Sequence, residues 1–268
     1  MQNKNPKPIG IFDSGIGGLT VVKEIKRFLP GEDLVYFGDT ARAPYGIKSS
    51  DTVKIYASEI TSFLIKQNVK MIVVACNTVS SLALEYLRKK FSSIPIIGVV
   101  EPGVRAAINS NKNKRIGIIG TVATINSHTY KNLLLKKDPS LKIFEKPCPL
   151  FVSLVEEGWE SHKVAELVAE EYLSYLKKSK IDTLVLGCTH YPLLKPVISK
   201  VMGDSIKLVD SAEETAILIK EIILKNNLSE KKQRKGKITC WLSDRSLFFI
   251  KAAERLLDQN IRILQKRF

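Results

Sequence analysis

Apolar residues along this chain gather into short unbroken runs, and the stretches between them are amphipathic with helical spacing. Ile9 to Phe12 reads as a strand, and the following GGLTVVKEIKRFL carries Leu19, Val22, Ile25 and Leu29 on one helical face. DLVYFGD predicts a second strand, Ser50 to about Gln67 a helix, and MIVVA a third strand. The next helix presents Val79, Leu82, Ala83, Tyr86 and Leu87 on one side, and IPIIGV follows as a strand. The alternation then restarts with RIGIIG, a helix near Ser127 to Lys136, and the strand LKIFEK. A helix from Ser161 to Lys177, with Val164, Leu167, Val168, Tyr172 and Leu176 inward, leads to DTLVLG. Another helix is expected at about Ser246 to Asp258. Continuous apolar strands alternating with amphipathic helices predict mainly parallel sheets flanked by helices, an α/β fold.

Two landmarks recur in order. KPIGIFDS begins at Lys7 and KRIGIIGT at Lys114, an offset of 107, while Cys76 in MIVVACNT and Cys188 in DTLVLGCTH stand 112 apart. Same order and nearly the same offset read as a duplicated unit, hence two pseudo-symmetric domains. VVEPG at 99–103 reads as the crossover and KLVDSAEET at 207–215 as the return. The expected division is 1–98 plus 211–268 for the first domain and 99–210 for the second, with the helix near 246–258 packed on the first.

Composition narrows the class. The 268 residues are 44% hydrophobic and 26% charged, as in an ordinary globular protein. No run reaches the ~18 apolar residues of a membrane span, and MQNKNPKP lacks the apolar segment of a signal peptide, so the cytoplasm is the expected location. Four cysteines without CxxC spacing predict free thiols and no structural metal. The net charge of +15 raises the question of nucleic acid. Its sharpest cluster, Lys231, Lys232, Arg234, Lys235 and Lys237, reads better as a solvated loop than as a binding patch, although a positive field favours an anionic small substrate.

The chemistry concentrates where strands end, because ligand crevices of open parallel sheets lie at their carboxyl ends. Cys76 and Cys188 both sit there, ahead of Asn77-Thr78 and Thr189-His190, pairs able to cap a helix, with Pro192 early in the second. Such a turn holds anions and favours a thiolate. A cysteine closing a strand is ordinarily core filler, the reading kept for Cys148 and Cys240; two at equivalent places favour function. The auxiliary groups differ. Aligning the opening strands sets Asp13 opposite Gly120 and Ser14 opposite Thr121, and aligning the cysteine strands sets Thr78 opposite His190. One site therefore gains a carboxylate and the other an imidazole, each able to orient or accept a thiol proton. His128 and His162 read as surface residues. DSGIGGL fits neither GxGxxG nor a P-loop; its glycines read as allowing close backbone approach to a small substrate, with Asp13 and Ser14 at its edge.

DSGIGGL at 13–19, PYG at 44–46, ACNT at 75–78, LVEEGW at 154–159 and GCTHYP at 187–192 resemble, in order, the signature of the bacterial glutamate racemases of the cofactor-independent aspartate/glutamate racemase superfamily. The resemblance implies two thiols across an interdomain cleft, Cys76 and Cys188, exchanging the roles of base and acid without metal or pyridoxal. It implies Asp13 beside the first thiol, and His190 beside the second with Glu156 orienting it. Ser14, Asn77, Thr78, Thr121 and Thr189 would contact the α-amino and α-carboxylate groups, and Pro44, Tyr45 and Gly46 would hold the side-chain carboxylate. D-Glutamate for peptidoglycan and a homodimer are further implications. The rivals are an aspartate or hydantoin racemase and, in another class, a basic nucleic-acid-binding protein.

Overall fold

A computed structural model describes residues 7–226, 228, 235–245, 247–257 and 261–268. In chain order, β1 (Ile9–Asp13), α1 (Leu19–Phe28), β2 (Leu34–Gly38), α2 (Ser50–Lys66), β3 (Met71–Val74), α3 (Asn77–Leu82), α4 (Leu84–Lys90) and β4 (Ile96–Gly98) make the first set. The second runs α5 (Val100–Ser110), β5 (Arg115–Gly120), α6 (Val122–Asn126), α7 (Thr129–Lys137), β6 (Lys142–Pro147), α8 (Leu150–Glu156), α9 (Lys163–Lys178), β7 (Thr183–Gly187), α10 (Lys195–Met202) and β8 (Lys207–Val209). The chain continues through α11 (Ala212–Lys225), β9 (Ile238–Leu242), α12 (Leu247–Leu257) and β10 (Arg262–Gln265).

The described strands form two parallel sheets, ordered β10-β9-β2-β1-β3-β4 and β6-β5-β7-β8. The run β2-β1-β3-β4 repeats as β6-β5-β7-β8, and the register repeats with it: Ile9 pairs with Met71 as Ile116 pairs with Thr183. The offsets of 107 and 112 that relate the two halves of the sequence carry one pairing onto the other. Apolar strands such as IGIFD, MIVV and TLVLG are buried along their whole length because helices cover both faces.

Several sequence expectations shift. The helix expected around Val79 to Leu87 breaks at Ala83, whose φ of −128° leaves the helical region, and Tyr86 turns outward. The helix near Ser127 is likewise split by His128, which adopts left-handed backbone at φ 51°. On α9 the inward face is Ala165, Ala169, Leu173 and Leu176, while Leu167 is exposed. Small alanines line the packed side, so the larger apolar residues misjudge its rotation. At VVEPG, read as the crossover, α5 begins, with Pro102 in its first turn where a missing N–H breaks no helical bond.

ITCWL and RILQ extend the first sheet beyond β2, and α12 packs on α1. Of the basic cluster, Lys231, Lys232 and Arg234 lie outside the described residues, as do Ser246 and Asp258 at the expected ends of α12. Lys235 and Lys237 are exposed. Among the described residues no helix is long and apolar enough to cross a membrane.

Candidate active site

The carboxyl ends of four strands converge. β1 ends at Asp13 and delivers Ser14, β3 leads through Ala75 to Cys76, β5 delivers Thr121, and β7 delivers Cys188. Between the sheets a small cavity is lined by both thiols and by Ser14, Pro44, Tyr45, Gly46, Asn77, Thr78, Thr121, Thr189 and His190. Of the residues expected from sequence, only Asp13 and Glu156 stand one step behind its wall. Val152 of α8 completes the lining; as an apolar residue in an amphipathic helix it carries no signal in the sequence. The volume open to the centre of a water molecule is about 10 Å³, room for about one water. A larger groove of about 470 Å³ lies elsewhere, lined by residues including Lys23, Lys195 and Asp210. It contains no thiol and none of the expected site residues.

The two thiols have different companions. Cys76 Sγ lies 3.8 Å from the Ser14 hydroxyl. Burial, and next the nearby charge of Asp13, push its pKa well above the usual thiol value, so Cys76 is held as a neutral thiol. Cys188 Sγ lies 3.7 Å from His190 Nδ1, and His190 Nε2 meets Glu156 Oε1 at 2.6 Å. Burial alone would lower the His190 pKa, but hydrogen bonds to Cys188 and Glu156 outweigh it and raise the value well above that of a free imidazole. The result is a thiol–imidazole–carboxylate chain able to carry a thiolate beside an imidazolium.

Asp13 is tied less to Cys76 than the resemblance implies. Its Oδ2 accepts from Gly18 N–H at 2.8 Å and Gly15 N–H at 3.3 Å, and the Thr189 hydroxyl donates to it at 3.3 Å. The carboxylate thus fastens the glycine loop to the second half and reaches Cys76 through its charge; the hydroxyl beside the thiol belongs to Ser14. Tyr36, from the neighbouring strand, donates to the Gly15 carbonyl at 2.7 Å and braces the same loop.

The helix caps also differ from expectation. Cys76 itself is the N-cap of α3, with no side-chain cap bond from Asn77 or Thr78. His190 caps only a short 3-10 turn (Tyr191–Leu194), again without a side-chain bond, although Pro192 does sit at its start. Thr121 is a true cap: its hydroxyl accepts from Thr124 N–H at 3.2 Å at the start of α6. Thr78, Thr121 and Thr124 form a hydroxyl triangle across the two halves, with separations of 3.0 to 3.3 Å.

The glycines of DSGIGGL serve a contact that the sequence does not reveal. A Cβ on Gly17 would come within 2.7 Å of the Thr189 carbonyl carbon, and one on Gly15 within 2.9 Å of Glu156 Oε1. The loop therefore fits against the other half of the protein, where the sequence reading pictured only a substrate. Gly46 repeats the device, its Cβ position lying 2.6 Å from Thr121 Cγ2. Its neighbour Tyr45 follows a cis Ala43-Pro44 bond, begins a 3-10 turn (Tyr45–Ile47), and donates to the buried Asp39 carboxylate, which also accepts from Arg42 at 2.7 Å. Cys148 and Cys240 are buried, matching their reading as core. His128 is exposed, against Glu145, and His162 caps α9.

Residues 9–219 match the family model described as Asp/Glu/Hydantoin racemase. The chain is 51% identical over 255 residues to a glutamate racemase of Geobacter metallireducens, spanning 95% of this chain and 94% of that one. It is similar to the crystal structure of glutamate racemase from Francisella tularensis in complex with D-glutamate, with TM-score 0.90, 40% identity, and coverage of 98% and 97% of the two chains. An aspartate racemase homologue from Pyrococcus horikoshii is more distant, at 17% identity and TM-score 0.56 over 81% of this chain and 98% of that one, and shares the fold.

Proposed function

The chain belongs to the Asp/Glu/hydantoin racemase family, and from that premise we propose that it is a glutamate racemase that moves the α-proton between the two faces of the substrate with Cys76 and Cys188. The observation that carries the mechanism is the meeting of two thiols from equivalent strand ends in one cavity, each with a different proton partner.

Racemisation breaks the Cα–H bond on one face and forms it on the other. A thiolate takes the proton, leaving its electron pair on Cα and the adjoining carboxylate; the opposite thiol then delivers its own proton and becomes the thiolate. In the resting pair Cys76 is the protonated partner, since burial and the Asp13 charge oppose its ionisation. Cys188 is the partner placed to act as base, since His190, its pKa raised by hydrogen bonds to Cys188 and Glu156, stands beside its sulfur and Glu156 fixes the ring. Turnover in one direction leaves the charges reversed, and Ser14 then faces the Cys76 thiolate.

Ser14, Asn77, Thr78, Thr121 and Thr189 supply the polar wall for the α-amino and α-carboxylate groups. Pro44, Tyr45 and Gly46 serve the side-chain carboxylate. The carbon acid is weak, so donors already aimed at the carboxylate where charge develops must stabilise the transition state in a dry site. A cavity of about 10 Å³ is too small for an amino acid, so the two halves part to admit substrate and close over it. The reaction asks for neither metal nor pyridoxal. Its biological use is D-glutamate for peptidoglycan, made in the cytoplasm by a homodimer; sedimentation of the purified protein tests the assembly.

The deciding experiment follows L-glutamate in D2O, with a chelator and no pyridoxal, by optical rotation and α-deuterium. D-Glutamate carrying solvent deuterium is expected. Racemisation of aspartate or a hydantoin with none of glutamate would overturn the substrate assignment, and salt-sensitive DNA binding with no racemisation would overturn the reading itself.

A further inference from the structure

Tyr130 belongs to the second half of the chain, on α7, yet its hydroxyl reaches across to a wall residue of the first. It donates to Asn77 Oδ1 at 2.7 Å. The ring is buried, and the backbone is cleared to receive it: a Cβ on Gly103 would lie 2.9 Å from its hydroxyl. Burial and the charge of Asp210 push the phenol above its usual pKa, so the group stays protonated and able to donate.

An amide side chain has one accepting and one donating end, and which end faces a ligand decides what the ligand can be. Asn77 turns its oxygen to Tyr130. Among the described residues its Nδ2 donates to no protein acceptor, and it is not among the sealed, unpaired polar atoms of the interior. The open space beside Asn77 is the thiol cavity. The end left for that cavity is therefore the N–H2 donor.

We propose that Tyr130 is a positioning residue that locks the Asn77 amide so that its N–H2 faces the substrate, which makes Asn77 a reader of a carboxylate oxygen and not of the ammonium group. This rests on the reading of the cavity as an amino-acid site.

Removing the hydroxyl frees the amide to turn its oxygen to the substrate, where it repels a carboxylate. Tyr130→Phe should raise KM for glutamate about tenfold, the worth of one lost hydrogen bond to a charged group, with kcat changed much less. The same change made in an Asn77→Ala background should add nothing, since the amide it positions is gone. A Tyr130→Phe effect that persists in that background, a loss confined to kcat, or an unchanged KM overturns the proposal. Should Tyr130→Phe fail to fold, Asn77→Asp carries the test: it keeps an acceptor for Tyr130 but loses the donor, so KM must rise at least as far as in Asn77→Ala, and a wild-type KM overturns the assignment. Glutamate turnover by the unmodified protein is measured alongside; its absence would count against the racemase reading, whereas its presence with insensitive variants counts against Tyr130 alone.

Discussion

Cys76 and Cys188 stand at matching ends of matching strands, in repeated register, yet one faces a serine hydroxyl under the field of a carboxylate and the other faces an imidazole backed by a glutamate. The shared scaffold decides where each sulfur sits. Residues one or two positions beyond the strand, and loops reaching over from the other half, decide what each sulfur meets. In the proposed reaction duplication accounts for two proton-transfer stations, and departure from symmetry accounts for their different companions.

The strongest way to break the comparison is to remove either station. Cys76→Ala and Cys188→Ala should each lower racemisation by at least about 10⁴-fold, the upper range for a lost acid or base, with the fold intact by circular dichroism. Full activity in either variant would refute the two-thiol assignment. Next in size is His190→Asn, expected to slow turnover by about 10²-fold and to slow the two directions' initial rates unequally, because only one thiol loses its partner. Glu156→Gln should show the same inequality in weaker form, since it acts through the ring; equal slowing would reduce both to structural roles. Gly17→Ala tests what the stations share. Its new methyl meets the Thr189 backbone, so a loss of about 1–3 kcal/mol in stability is expected from overpacking, with both directions impaired alike.

The smallest effect separates the thiols by pH. A thiol pushed above its usual value gains thiolate only at higher pH, so alkylation at Cys76, read by peptide mass, should still be climbing above pH 9, the ordinary value for the group. Cys76 labelling that levels off below pH 8 would contradict the neutral resting thiol.

Much of this was legible in the sequence for definite reasons. Fully buried parallel strands leave unbroken apolar runs, and a repeat leaves matching offsets, so the α/β class and the places of both cysteines could be read directly. ITCWL and RILQ escaped as strands because they follow the second repeat and their burial alternates or is partial, RILQ lying at the sheet's edge. The breaks at Ala83 and His128 carry no glycine or proline to announce them. Tyr130, Tyr36 and Val152 look like core positions in any pattern analysis, and only tertiary packing brings them to the site. The glycine loop was visible, but its partner was not, because Thr189 and Glu156 are far away along the chain.

The size of the thiol cavity has a bearing on isotope bookkeeping. With room for about one water, the closed site holds a small and countable stock of exchangeable hydrogen, and each sulfur carries at most one. Under the proposed two-thiol reaction, a deuteron lifted from labelled substrate would leave for the solvent only once the site opens. The ratio of label washed out to molecules inverted would then become a clock for opening, timed against the proposed proton transfer.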